Sequence, residues 1–192
     1  MTRPTNTLVL AMLGTDHHRF DRLISWLDDL VMERVNTRVV LQHGHSAAPA
    51  RAQGRDFIAY GDLTELIGRA DAIVCHGGPG TIMDARNAGH RAICVPRDPA
   101  FGEHVDGHQI AFARRMAQAG VVDVAHDQHE FRRLIEERLA QPRTRSESSP
   151  RLPEQRSSSG IAVLADELDS LLERGPVKRS ESIQRFLRPP KD

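Results

Sequence analysis

Apolar residues fall into short unbroken runs, separated by stretches in which they recur at helical spacing. Leu8-Val9-Leu10-Ala11-Met12-Leu13, Val39-Val40-Leu41, Ala72-Ile73-Val74-Cys75 and Ala92-Ile93-Cys94-Val95 are apolar at consecutive positions. That pattern marks strands buried on both faces of a parallel sheet. The first run predicts a strand over Thr7 to Leu13, the second over Thr37 to Gln42, the third over Ala72 to Cys75 and the fourth over Arg91 to Val95. Val121-Val122-Asp123-Val124 reads as a short last strand, and Phe57-Ile58-Ala59-Tyr60 as another, with the small polar stretch Ala47 to Gly54 as a surface connection. Phe20, Leu23, Ile24, Leu27 and Leu30-Val31 line one face of a helix from about Arg19 to Glu33. Leu63, Leu66 and Ile67 do so for a helix capped by Asp62 and ending near Arg69. Ile110, Phe112, Ala113 and Met116 belong to a helix from His108 to Gly120, and Phe131, Leu134, Ile135 and Leu139 to one from Asp127 or Gln128 to about Ala140. Strand and helix in alternation predict an α/β fold, a Rossmann-like parallel sheet with helices on both faces.

The stretch around which this pattern is organised is Asp71 to Gln109. Its strand, Ala72 to Cys75, ends in His76-Gly77-Gly78-Pro79-Gly80, and that turn opens directly into a helix reaching about Ala88. Pro79 suits the first helical position, where its missing N–H costs nothing. Gly77, Gly78 and Gly80 leave room for a ligand to approach the backbone, and the free N–H groups at a helix start carry partial positive charge. Gly89 suits the left-handed position just past the helix end. Strand, glycine turn, helix and strand make a βαβ unit, and the turn is an anion site in outline. Glycines after a strand also serve merely to bring a helix close to a sheet. Asp84 lies one helical turn after Gly80, its side chain leaning back toward the helix start. A carboxylate there accepts hydrogen bonds from the paired hydroxyls of a ribose.

His76-Gly77-Gly78-Pro79-Gly80-Thr81-Ile82-Met83-Asp84-Ala85, followed by Gly89, Val95-Pro96-Arg97 and Glu103-His104-Val105-Asp106-Gly107-His108-Gln109, resembles the nucleotide-sugar-binding half of family 28 glycosyltransferases. The nearest resemblance is to the small single-domain proteins of the Alg13 type and their bacterial exopolysaccharide counterparts. Gly14-Thr15 and Phe20-Asp21-Arg22-Leu23 are similar to the opening motif of the same proteins. The resemblance covers about Leu8 to Leu139. It implies a domain equivalent to the donor-binding half of a GT-B glycosyltransferase, taking a UDP-sugar. The substrate-binding residues it implies are Gly14, Thr15, His76, Gly77, Gly78, Gly80, Thr81, Asp84, Asp106, His108 and Gln109. His76 is the one catalytic candidate on this chain, and the general base is expected on a partner. No cofactor and no metal is implied, because backbone N–H groups and a helix end hold the diphosphate. A GT-B enzyme has an acceptor half as well, so the resemblance implies a membrane-associated Alg14-like partner subunit presenting a lipid-linked sugar acceptor. Localisation is then cytoplasmic, peripheral at the inner face of the membrane through that partner. The alternative is a non-catalytic nucleotide-sugar-binding regulatory subunit of a polysaccharide biosynthesis complex. Three departures stand out: Asp84 where related enzymes carry glutamate, a turn without the more common alanine, and a terminal extension without a counterpart.

Composition narrows this further. The 192 residues, 39% hydrophobic, suffice for one domain with an extension. Basic and acidic residues balance at 26 each, which argues against a dedicated nucleic-acid binder. No apolar run approaches the ~18 residues of a membrane span, and no secretion signal is expected. Cys75 and Cys94, at the ends of adjacent expected strands, read as reduced core residues. Ten histidines invite a metal reading, notably His43 with His45, His17 with His18 and His104 with His108. Gly107 interrupts the last pair, and no Cys-x-x-Cys motif is present, so none reproduces a familiar metal pattern. The expected organisation is a nucleotide-sugar-binding domain over 1–141, a Pro/Ser/Arg-rich linker over 142–160, and a C-terminal helix with a polar tail over 161–192.

Overall fold

The computed structural model describes residues 7–140. The expected linker, terminal helix and tail lie outside them. Six strands, β1 (Thr7–Met12), β2 (Thr37–Gln42), β3 (Gln53–Arg55), β4 (Ala72–Cys75), β5 (Ala92–Cys94) and β6 (Val122–Val124), form one all-parallel sheet in the order β3-β2-β1-β4-β5-β6. Five helices accompany them: α1 (Asp21–Glu33), α2 (Tyr60–Arg69), α3 (Pro79–Asn87), α4 (His108–Gln118) and α5 (Gln128–Ala140).

Side chains alternate across a strand, and here both faces are apolar. Val9, Ala11 and Leu13 join Val39, Leu41, Val74, Ile93 and Val95 in one core with Phe20, Leu23, Leu27 and Leu30 from α1 and its approach, and Phe131, Leu134 and Ile135 of α5. On the opposite face, Leu8, Leu10 and Met12 are equally buried, and α2 and α3 pack against β1, β4, β5 and each other. Consecutive apolar positions are thus needed on every central strand. Among the described residues no helix is long and apolar enough to cross a membrane.

The third strand lies elsewhere than its hydrophobicity predicts. Gln53-Gly54-Arg55 pairs with Val40 to Gln42, and Phe57 to Tyr60 is not a strand. Pairing at a sheet edge is a backbone matter, and all three β3 residues are exposed, so no apolar signal marks them. Asp28 on α1 holds the chain in place, its carboxylate accepting from the N–H groups of Ala50, Arg51 and Ala52 at 2.7–2.9 Å. Phe57 and Tyr60 remain exposed, while the Ile58 N–H donates to Gln42 Oε1 at 3.0 Å. The helix expected from an Asp62 cap begins three residues earlier, after Ala59, with Asp62 in its first turn.

Connections from β1 run toward β2 and β3, and those from β4 run the other way toward β5 and β6. The strand order reverses between β1 and β4. At such a reversal a crevice opens at the carboxyl ends of the strands, where ligands bind in open α/β sheets.

Candidate functional site

Both glycine segments singled out in the sequence emerge at that reversal. Gly14 follows β1 with φ +79°, and His76-Gly77-Gly78 follows β4, which pairs with β1 through Met12 and Cys75. Gly77 also has positive φ, +94°. An added Cβ would lie 3.0 Å from Cys94 Sγ, so the turn sits tightly over β5. Gly78 is extended and caps α3 without any side-chain hydrogen bond, with Pro79 in the first turn. The first bond into the helix runs from the Ile82 N–H to the Gly78 carbonyl at 3.2 Å. The amides of Gly80 and Thr81, ahead of it, have no acceptor within the helix. Gly80 is exposed, and a Cβ there would meet nothing within 4 Å. The start of α3 therefore presents backbone donors to open space.

His76 is buried at the centre of this arrangement. Its backbone N–H and its Nδ1 both lie 3.3 Å from the Met12 carbonyl. A carbonyl only accepts, so Nδ1 carries the proton and Nε2 is left as an acceptor. Burial lowers the ring's pKa to about 4, helped by the Arg97 charge and opposed by the Met12 hydrogen bond, so the imidazole is neutral at pH 7. Its other edge is confined: a Cβ on Gly14 would come within 2.6 Å of the ring and one on Gly78 within 2.4 Å of Nε2.

Arg97, which sequence reading quoted in a motif but gave no role, is 1% exposed at the base of the site. Its Nη1 donates to the carbonyls of His18 (2.6 Å) and Glu103 (3.1 Å), and its Nη2 to that of Leu13 (3.0 Å). One guanidinium thus ties the loop after β1 to the loop after β5. Burial lowers its pKa, while Asp16 and Glu103 act to raise it. Its Nε has no partner. Glu103, also buried, takes a bidentate pair from Arg22 Nε (2.9 Å) and Nη2 (2.8 Å) and accepts the Asp98 N–H (2.9 Å). The planar fork of Arg22 also faces the rings of Trp26 and Phe101 at about 5 Å. For Arg22 and Glu103 the sequence signal was opposite charge alone, and for Arg97, whose partners are backbone carbonyls, there was none.

The remaining sequence candidates are brought to the same edge by α3 and α4. Gln109, in the first turn of α4, is half-buried, and its Oε1 is buried with no hydrogen-bond partner. Its backbone oxygen lies 4.0 Å from the Cβ position of Gly77, so the start of α4 packs beside the glycine turn. Asp106 Oδ1 accepts the His108 N–H at 3.0 Å and faces its ring at 2.8 Å. Burial acts to raise the Asp106 pKa, but the His108 bonds and the His108 and His104 charges outweigh it and hold it below the ordinary value. Asp106 therefore fixes the start of α4, whatever else it does. Asp84 lies half-buried on α3, Thr81 half-buried and Thr15 exposed. Cys75 and Cys94 face each other in register across β4 and β5, buried and free.

The profile of the Glycosyltransferase family 28 C-terminal domain matches residues 8–166. The chain belongs to that family. A Bordetella petrii relative named UDP-N-acetylglucosamine--N-acetylmuramyl-(pentapeptide) pyrophosphoryl-undecaprenol N-acetylglucosamine transferase is 33% identical over 104 residues, 51% of this chain and 28% of its own length. The Bordetella pertussis protein of the same name is 33% identical over 79 residues, 41% of this chain and 20% of its own. The chain thus matches less than a third of the length of these relatives. Among solved structures, the glycotransferase of kitacinnamycin superposes with a TM-score of 0.56 at 16% identity, covering 88% of this chain and 41% of that one. The calicheamicin glycosyltransferase CalG4 does so with 0.53 at 20% identity, covering 91% and 44%. These likenesses establish the fold, the α/β domain of GT-B glycosyltransferases. In this family 28 domain the glycine turn and its two flanking loops occupy the sheet edge where the strand order reverses.

Proposed function

We propose that this domain is the donor-binding half of a glycosyltransferase and holds a UDP-sugar at the carboxyl ends of β1 and β4. The observation that carries the reading is the uncapped start of α3, opening beside the Gly14-Thr15 loop at the strand-order reversal. The amides of Gly78, Gly80 and Thr81 meet the diphosphate, with the helix dipole behind them. Asp84 receives the ribose hydroxyls, and the orphaned Gln109 Oε1 accepts from a sugar hydroxyl, with Asp106 and His108 beside it. As the glycosidic bond breaks, negative charge builds on the leaving diphosphate. Donors already in place stabilise that charge, and the buried Arg97 adds a fixed positive field beneath them. No cation is required at the phosphates. His76, neutral and wedged between two glycines, sets the spacing of the two loops instead of exchanging protons.

The Bordetella petrii relative is named for UDP-N-acetylglucosamine and an undecaprenol-linked acceptor. UDP-N-acetylglucosamine is therefore the first donor to try, and a lipid-linked sugar the acceptor class. The acceptor side and the general base come from a second, membrane-associated Alg14-like half, which places the enzyme at the inner face of the membrane. Calorimetric titration with UDP and UDP-N-acetylglucosamine tests the donor site. Saturable binding, weakened in Gly80→Val, supports the reading; no binding of either by the folded chain overturns it. Sugar transfer only after mixing with a co-purified partner supports the second half.

A further inference from the structure

The loop after β1 carries three potential metal ligands in succession. Asp16, His17 and His18 bring one ligand atom each within 4.8 Å of one another. A further imidazole approaches the same carboxylate from 86 positions further along the chain: His104 Nε2 lies 3.9 Å from Asp16 Oδ2, just outside the group of three, with the rings of His18 and His104 5.8 Å apart. Three imidazoles thus converge on one carboxylate. Only His18 hydrogen-bonds it, at 2.6 Å, whereas His17 Nδ1 stands 4.0 Å from Asp16 Oδ1. Separations of 3.9 and 4.0 Å are too long for hydrogen bonds. They are close to the ~3.3 Å between ligands about a tetrahedral zinc ion with bonds of ~2.0 Å.

We propose that Asp16, His17, His18 and His104 form a divalent transition-metal site, of the zinc class, on the rim of the crevice. Imidazole and carboxylate without thiolate suit zinc, and cobalt as its spectroscopic substitute. Arg97 is the fixed positive charge that opposes the ion. It bonds the loop through backbone carbonyls only, so the four ligands stay available. The ion acts as a clasp between the loop after β1 and the loop after β5, next to Gly14 and Thr15. Neither loop's sequence shows this, because the fourth ligand arrives only through the sheet. The proposal stands independently of the donor reading.

The test uses the full chain without a histidine tag, at neutral pH. Zinc is titrated by calorimetry and cobalt by visible absorption. One ion per chain, with affinity on the order of micromolar or tighter and four-coordinate cobalt bands, is expected. His17→Ala and His104→Ala should each weaken binding by about tenfold or more, while His126→Ala, at an exposed histidine just after β6, leaves it unchanged. His17 is 80% exposed in its side chain, so its loss does not threaten folding. Absence of stoichiometric binding overturns the proposal, as does binding that survives both His17→Ala and His104→Ala.

Discussion

The imidazole of His76 fills the volume that a side chain on Gly78 would need, an added Cβ standing 2.4 Å from its Nε2. The same ring closes off Gly14 at 2.6 Å. Two glycine loops and one histidine are thus fitted to each other, and the width of the crevice depends on all three.

This fit separates the two glycines. Gly78 has ordinary extended geometry, φ −68°, so Gly78→Ala suffers only the collision, costing about 1–3 kcal/mol as overpacking does. Adding His76→Ala should recover part of the Gly78→Ala loss, a positive coupling in a double-mutant cycle. Gly14 has φ +79°, and strain at Gly14→Ala should persist after the ring is removed. Thermal melting of the five variants checks both outcomes.

A second prediction concerns acid. The folded His76 ring titrates at about 4 against an ordinary 6.5, chiefly through burial. Between those values the unfolded chain binds more protons, so the contribution is full above pH 6.5 and falls as pH drops toward 4. It amounts to about 3 kcal/mol. Below about pH 4 both states are protonated and the loss ends. Asp16, whose folded pKa is lowered, loses its contribution only at still lower pH. Urea midpoints measured across this range should slope less steeply in His76→Gln than in the wild type.

Glu103 and Arg22 supply a third. Their bidentate pair has side chains 4% and 16% exposed, and removing one partner leaves a buried charge alone. Glu103→Gln should lower stability by about 3–5 kcal/mol. Arg22→Met in the Glu103→Gln background should cost much less than in the wild type. Chemical denaturation of the four proteins in the cycle checks it.

Cys75 and Cys94 are both buried and unpaired in a disulfide. A thiol reagent of the Ellman type should modify neither in the native protein and both after unfolding. Rapid native reaction would show that the sheet under the glycine turn opens readily.

The central strands and most of the helices were legible because burial on both sheet faces leaves continuous apolar runs, as in Leu8 to Leu13. The glycine turn was legible because its backbone demands small residues, and Gly77 and Gly89 have the positive φ that requires them. β3 was not, since an exposed edge strand is chosen by backbone pairing and by Asp28 holding the approach to it. Arg97 carried a second kind of silence. Its partners are backbone carbonyls at Leu13, His18 and Glu103, distant in sequence and invisible in residue types. That the His76 ring is buried and neutral was not readable, because its burial and its orientation toward Met12 come from the fold.

The central claim is that the amides at the start of α3 hold a nucleotide's diphosphate. Gly80→Val tests it most directly, because a side chain there enters open space and valine is no worse than glycine in a helix. Titration calorimetry with UDP should show binding to the wild type, weakened about 10- to 100-fold in Gly80→Val by the loss of charge-assisted hydrogen bonds, while both proteins melt at nearly the same temperature. Equal UDP affinity in the two folded proteins would contradict the account.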